Sequence, residues 1–142
     1  MKGMEARSYA VDFTKCTEVQ WSEIKSLVQQ EEVSVLGMSS ILYSAFGYAQ
    51  CVVINACAIY MRAFYVVNNV GLCHENPTFF DEEEQDKCND MVEVNVNTMM
   101  DLTRIVVPQM QQRKNGLIIN LGSFAAIRSM PFLSVYAGTK GF

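Results

Sequence analysis

The sequence predicts an α/β fold built on a parallel sheet, and two observations support that prediction. Strand-like and helix-like segments alternate along the chain, which is the order that crossover helices between parallel strands produce. Residues 117–123, LIINLGS, form a continuous apolar run typical of a parallel strand covered on both faces. We therefore expect one sheet with strands near residues 7–12, near residues 33–36 together with 67–70, and near residues 117–122.

The composition is that of a globular chain with one domain. The sequence has 142 residues, of which 50% are hydrophobic and 18% are charged, with a formal net charge of −4. No basic cluster occurs, so a nucleic acid is not an expected partner. The 5 cysteines are odd in number and form no C-x-x-C pair, so we expect neither a disulfide framework nor a metal site.

A first helix follows a short strand that ends at Asp12. Thr17 and Gln20 have the spacing of a capping box, in which the side chain of each residue bonds the backbone N–H of the other. Apolar residues then repeat at helical spacing, which predicts the buried face of this helix: Trp21, Ile24, Leu27 and Val28.

A second, longer helix is predicted from about residue 86 to residue 114. One face of this helix carries side chains at steps of three and four residues: Asn95, Met99, Leu102, Val106 and Met110. Asn95 is the polar exception on this face, and a buried amide costs stability unless it has hydrogen-bond partners. Asn95 is therefore a candidate functional residue.

The segment 37–66 interrupts the alternation of strands and helices. It carries no charge between Gly37 and Met61, and it is long enough to span a bilayer. Without it, residues 33–36 (VSVL) would join residues 67–70 directly and give one buried strand. We interpret 37–66 as an insertion that splits a central strand. A translated intron is the favoured origin, and a membrane helix is the alternative.

Tyr136 and Lys140 lie four residues apart, so they project from one face of a predicted final helix that Ser134 would cap. A phenol has a pKa of about 10, and a neighbouring ammonium favours the phenolate, which makes proton exchange easier. Ser123 ends the preceding strand, where its hydroxyl could bond the carbonyl oxygen that a tyrosine protonates. His74 is the only histidine, and no acidic partner for it is recognisable, so a His-based triad is not favoured.

Four motifs together resemble the short-chain dehydrogenase/reductase family: NNVG at 68–71, EVNVNTMMDLTRIVVPQM at 93–110, LIINLGS at 117–123 and YAGTK at 136–140. Within it, they are most similar to the very-long-chain 3-oxoacyl-CoA reductases, which share a branch with the 17-beta-type hydroxysteroid dehydrogenases. The resemblance implies a Rossmann-like doubly wound parallel sheet. We expect residues 1–142 to be a partial domain truncated at both ends, because the family's Gly-rich pyrophosphate turn is missing and the chain stops early in the tyrosine helix.

The resemblance also implies roles for individual residues. The implied catalytic residues are Ser123, Tyr136, Lys140 and Asn95. The implied cofactor-binding residues are Asp12, which would contact the adenine ring, Asn68, Gly71, Tyr136 and Lys140. Asn95 would support a proton-relay water, and Lys140 would hold the nicotinamide ribose.

The activity that the resemblance implies is NADPH-dependent reduction of a 3-oxoacyl-CoA in very-long-chain fatty acid elongation. The alternatives are a 17-beta-type hydroxysteroid or generic ketone reductase, and a catalytically inactive fragment. The implied partners are an acyl-CoA substrate and other fatty acid elongation enzymes. The implied location of the parent enzyme is the endoplasmic reticulum membrane.

Overall fold

The computed structural model describes residues 5–30, 35–44, 47–56, 65–128 and 130–142. The described strands are β1 (Glu5–Val11), β2 (Val35–Ser44), β3 (Gly47–Ala56), β4 (Tyr65–Asn69) and β5 (Leu117–Asn120). The described α-helices are α1 (Glu18–Gln30), α2 (Gln85–Val92), α3 (Thr98–Arg113) and α4 (Ser134–Lys140). A π-helical turn, Glu93–Asn97, joins α2 to α3, and short 3-10 helices occupy Phe13–Lys15 and Phe124–Ala126.

The five strands form one sheet in the order β1-β3-β2-β4-β5. β2, β4 and β5 are parallel neighbours, and β3 runs antiparallel to both β1 and β2. The parallel part of the sheet, together with the helices that follow β1 and β4, confirms the predicted Rossmann-like α/β class.

The prediction that residues 33–36 and 67–70 form a single strand is wrong. Leu36 lies opposite Val66 on a neighbouring parallel strand, so the two apolar runs are partners and not halves of one strand. The physical reason is that β2 does not stop at residue 36: it continues to Ser44 because residues 37–41 find a partner in β3. Residues 33–34 lie outside the described residues.

The segment 37–66 also differs from the membrane helix that was the alternative interpretation. Its described parts, residues 37–44, 47–56 and 65–66, are strands, and residues 45–46 and 57–64 lie outside the described residues. Among the residues that the structure describes, none forms a helix that is both long and apolar enough to cross a membrane. That 37–66 is an insertion stays a prediction.

The hairpin of β2 and β3 occupies a defined place in the sheet. Doubly wound sheets have the strand order 3-2-1-4-5-6. In this chain β1, β4 and β5 lie at the positions of strands 3, 4 and 5 of that order. The hairpin strands β3 and β2 lie at the positions of strands 2 and 1. β1 therefore joins the rest of the sheet through β3.

The core lies between β4, the first helix and the long helix of α2 and α3. Ile24 and Val28 of α1 and Leu102 and Val106 of α3 are fully buried, as the helical periodicity predicts. Val66 of β4 is fully buried as well. The capping box is confirmed as well: the N–H groups of Thr17 and Gln20 bond each other's side chains at 3.0 and 3.3 Å.

β5 does not have the predicted cover on both faces. Leu117, Ile119 and Leu121 alternate along the chain and are each at least 40% exposed, whereas Ile118 packs against the core. β5 lies at the edge of the sheet, and one of its faces is open among the described residues. The apolar composition of residues 117–123 therefore predicted two covered faces, whereas only one face of β5 packs against the core.

Replacing Val53 of β3 by proline tests the place of β3. Val53 is opposite Ser8 on one side and Gly37 on the other, and proline removes a donor from the ladder. We expect the amides of β1 to lose hydrogen-exchange protection while those of β4 and β5 keep theirs. Val53→Thr, which retains the N–H, is the control, and unchanged protection in β1 would contradict the strand order.

Candidate active site

The long helix is widened where it carries Asn95. Residues 93–97 form a π-helical turn between α2 and α3, and the Thr98 hydroxyl donates to the Glu93 carbonyl oxygen at 3.0 Å. Such turns insert an extra residue into a helix and are frequent at functional sites. Here the turn contains two buried residues, Val94 and Asn95.

The Asn95 side chain binds the segment that leaves β4. Its Oδ1 accepts a hydrogen bond from the Leu72 N–H at 2.7 Å, and its Nδ2 donates to the Leu72 carbonyl oxygen at 2.9 Å. Asn95 is only 6% exposed, so its amide depends on partners within the protein and not on water. One amide thus satisfies both backbone groups of Leu72, which explains why it is tolerated on an apolar helix face.

The same amide reaches α4. The Asn95 Nδ2 also donates to the Thr139 Oγ1 at 2.8 Å, and the Thr139 hydroxyl in turn donates to the Tyr136 carbonyl oxygen at 2.8 Å. Thr139 is buried and lies between the predicted Tyr136 and Lys140. The sequence analysis missed Thr139. The only feature that could have indicated it is that it is a small polar residue on a helix that must pack closely.

Lys140 points back across the end of the sheet. Its Nζ lies 3.4 Å from the carbonyl oxygens of Val70 and Leu121, which follow β4 and β5. Burial lowers the pKa of the Lys140 ammonium. A Cβ added at Gly71 would lie 2.9 Å from the Nζ, so glycine at this position leaves the space that the lysine occupies.

Ser123 does not end the strand as predicted, because β5 stops at Asn120, and its hydroxyl has a local role. It is the N-cap of the 3-10 helix Phe124–Ala126, and its Oγ accepts a hydrogen bond from the Ala125 N–H at 3.2 Å. Tyr136 is half-buried and packs against the core. A carbonyl oxygen shared by Ser123 and the Tyr136 hydroxyl stays a prediction.

A cleft of about 190 Å³ brings several of the predicted residues together. Asn68, Asn95 and Lys140 line it, along with Thr139 and Gly122. The Asn68 Nδ2 donates to the Asn120 Oδ1 at 2.7 Å, but the Asn68 Oδ1 is buried and has no hydrogen-bond partner among the described residues. An unpaired buried acceptor and a half-buried ammonium in one cleft favour a polar ligand.

Asp12 does not line this cleft but borders a different cavity, of about 300 Å³, which Leu72 and His74 also line. Its carboxylate accepts hydrogen bonds from the N–H and the hydroxyl of Thr14, at 3.0 and 2.7 Å. Asp12 therefore caps the 3-10 helix after β1 in the way that Ser123 caps the one after β5. The contact of Asp12 with an adenine ring stays a prediction.

His74 has an acidic partner that the sequence analysis did not find. Its Nδ1 lies 2.9 Å from the Glu83 Oε2, and both side chains are more than nine-tenths buried. Nothing in a nine-residue separation within a loop signals such a pair, because loops have no periodicity that brings two positions together.

The model of the family described as short chain dehydrogenase matches residues 48–142. The chain belongs to this family. The match includes every predicted site residue except Asp12, and it agrees with the α/β sheet.

Several curated relatives share a name. The chain is 30% identical over 140 residues to the very-long-chain 3-oxoacyl-CoA reductase of Laccaria bicolor, a match that covers 99% of the chain and 32% of that relative. It is 43% identical over 77 residues, 54% of the chain, to the protein of the same name from Coprinopsis cinerea, 23% of which is covered. The chain spans about a third of the length of the curated relatives that match nearly all of it.

Solved structures agree on the fold. The closed form of a serine dehydrogenase complexed with NADP+ is 32% identical, with a TM-score of 0.53, over 55% of this chain and 31% of its own. A 3-oxoacyl-[acyl-carrier protein] reductase with bound NAD from Brucella melitensis is 28% identical, with a TM-score of 0.51, over 54% of this chain and 31% of its own. The serine dehydrogenase of Escherichia coli, 21% identical over 93% of this chain and 46% of its own, shows the fold alone at a TM-score of 0.61.

Replacing Asn95 by leucine tests whether its amide supports the site. The change leaves the Leu72 N–H and carbonyl and the Thr139 hydroxyl without their buried partner. We expect the free energy of unfolding to fall by about 3 kcal/mol or more, measured by urea denaturation of the chain.

The matched control is Asn97→Leu in the same π-helical turn, where the amide donates to the side chain of Glu93 at 2.6 Å. We expect this change to cost less than about 1 kcal/mol. Equal losses for the two variants would show that the Asn95 bonds contribute nothing particular.

Proposed function

We propose that the protein containing this site reduces a 3-oxoacyl-CoA to the 3-hydroxyacyl-CoA with NADPH. The single observation that carries the proposal is the placement of α4. This helix presents Tyr136 and, one turn later, Lys140, while the Asn95–Thr139 contact fixes it against the segment that leaves β4. The curated relatives with the name very-long-chain 3-oxoacyl-CoA reductase support the choice of substrate.

The residues present fit the nicotinamide end of such a cofactor. The Lys140 ammonium offers donors at the mouth of the cleft, and the unpaired Asn68 Oδ1 offers an acceptor inside it. Glycine at position 71 leaves room for the Lys140 ammonium, because a side chain there would displace it. When bound, NADPH supplies the hydride that is added to C3 of the substrate.

The chain's own residues then account for the proton. The Tyr136 hydroxyl donates a proton to the substrate oxygen, and the resulting phenolate recovers a proton from water. The Lys140 ammonium, four residues away on the same face, would stabilise the negative charge of that phenolate and would hold the ribose of the cofactor. Ser123 would orient the carbonyl from the end of β5, and Asn95 would keep α4 at the correct depth.

The proposal is tested in a chimera in which this chain replaces the matching third of the Laccaria bicolor relative. We expect the folded chimera to oxidise NADPH in the presence of a long-chain 3-oxoacyl-CoA. Tyr136→Phe removes the proton donor, so turnover should fall roughly 10²- to 10⁴-fold while NADPH binding, followed by fluorescence titration, is retained. Tyr65→Phe on β4 is the matched control and should leave turnover unchanged.

Two outcomes would contradict the proposal. One is turnover by Tyr136→Phe within about tenfold of the unmutated chimera, because loss of a general acid costs more than that. The other is a folded chimera that binds NADPH and reduces a 17-keto steroid but no 3-oxoacyl-CoA, which would assign the site to the hydroxysteroid branch.

A further inference from the structure

Helix α4 begins without a cap from its own sequence. The predicted cap, Ser134, is instead the first helical residue, and the N-cap position is Leu133, whose side chain makes no capping hydrogen bond. The first N–H groups of a helix have no partner inside it, and they need one from elsewhere when they are buried. Tyr136 carries one of these N–H groups.

His74 supplies the missing acceptor. The Tyr136 N–H donates to the His74 Nε2 at 3.3 Å. On the other side of the ring, the His74 Nδ1 lies 2.9 Å from the Glu83 Oε2. The side chains of His74 and Glu83 are 2% and 8% exposed, so the ring is enclosed between a carboxylate and the start of α4.

These contacts define the protonation of the ring. A backbone N–H can donate only to an unprotonated nitrogen, so the Nε2 of His74 carries no hydrogen. The proton of the neutral ring is then on Nδ1, where it is donated to Glu83. Glu83 thus selects the tautomer in which His74 can accept from Tyr136.

The loop between β4 and α2 contacts the approach to α4 at two further points. The Thr78 N–H donates to the Phe132 carbonyl oxygen at 3.3 Å, and the rings of Phe79 and Phe132 meet edge to face with centroids 5.0 Å apart. Phe132 has a φ of 66°, so the chain turns sharply just before the helix begins. His74 therefore belongs to a loop that is docked along this turn.

We propose that the buried His74–Glu83 pair positions Tyr136 for catalysis by capping its N–H. The Asn95–Thr139 contact holds the carbonyl oxygen of the same residue, so both sides of Tyr136 are fixed through its backbone. The catalytic part of this inference rests on the proposed role of Tyr136. His74 itself is a positioning residue, because it touches the backbone and not the reacting atoms.

The two ends of α4 are anchored independently, which gives the pair a distinct kinetic signature. Lys140 is held by the carbonyl oxygens of Val70 and Leu121, one helical turn from the N–H that His74 caps. Loss of the cap therefore displaces Tyr136 in the first turn but leaves the ammonium in place. We expect turnover to fall while cofactor binding is kept, since a shift of about 1 Å in a catalytic group can cost on the order of 10²-fold in rate.

The tautomer is tested first on the 142-residue chain itself. We expect the nitrogen spectrum of the imidazole of His74 at neutral pH to show the Nδ1–H tautomer and the Tyr136 amide to be protected from hydrogen exchange. Observation of the Nε2–H tautomer, or of a Tyr136 amide that exchanges as fast as an exposed one, would overturn the proposal whether or not any reductase activity is found.

The role is then tested with two variants of His74 in the chimera. His74→Gln places an amide oxygen near the position of Nε2 and can still accept from Tyr136, whereas His74→Asn retains only a group near Nδ1. We expect kcat of His74→Asn to fall at least about tenfold with the Kd for NADPH within about threefold, and His74→Gln to recover most of the loss.

Glu83→Gln keeps an acceptor for Nδ1 and should cost little, and Glu82→Gln, on an exposed neighbour, should leave kcat unchanged. Equal kcat for His74→Asn, His74→Gln and the unmutated chimera would overturn the positioning role. So would parallel losses in kcat and NADPH affinity for both variants, because that result would show a general structural role. An inactive chimera with the expected tautomer would instead count against the proposed function alone.

Discussion

The carboxamide of Asn95 satisfies the N–H and the carbonyl of Leu72 and donates to Thr139, and the rest of the site depends on these three bonds. They connect the long helix, the exit of β4 and helix α4 through one buried side chain. The π-helical turn allows this arrangement because it widens the helix where the amide leaves it. Gly71 lies in the same junction, where both the ammonium of Lys140 and the amide of Asn95 approach its backbone.

The features that the sequence predicted correctly are local. The capping box of Thr17 and Gln20 and the buried stripe of the long helix follow from spacings of three and four residues, which a helix converts directly into contacts. Asn95 was identified for the same reason, since an amide on an apolar stripe needs partners. The identity of those partners was not predictable, because Leu72 and Thr139 are distant in sequence and no periodicity connects them to the helix.

The features that the sequence missed depend on pairing between distant segments. The segment 37–66 was interpreted as an insertion, with a membrane helix as the alternative, but strand pairing is decided by which edges are available, and here β2 and β3 fill two places between β1 and β4. In β5 the apolar run gave no sign that Ile119 would be exposed, because exposure depends on what covers the other face of the sheet. The His74–Glu83 pair lies in a loop, and its partner in space, the Tyr136 N–H, follows only from the docking of that loop.

The most direct test of this account is a double-mutant cycle between Asn95 and Thr139, with Asn95→Ala and Thr139→Val made singly and together and the free energy of unfolding measured in urea. If one shared network holds α4 against the β4 exit, removing either residue weakens the contribution of the other. The account predicts a coupling energy of about 1 kcal/mol or more, within the range found for residues in one hydrogen-bond network. Effects that add to within about 0.3 kcal/mol would contradict it, because additivity is the behaviour of independent sites.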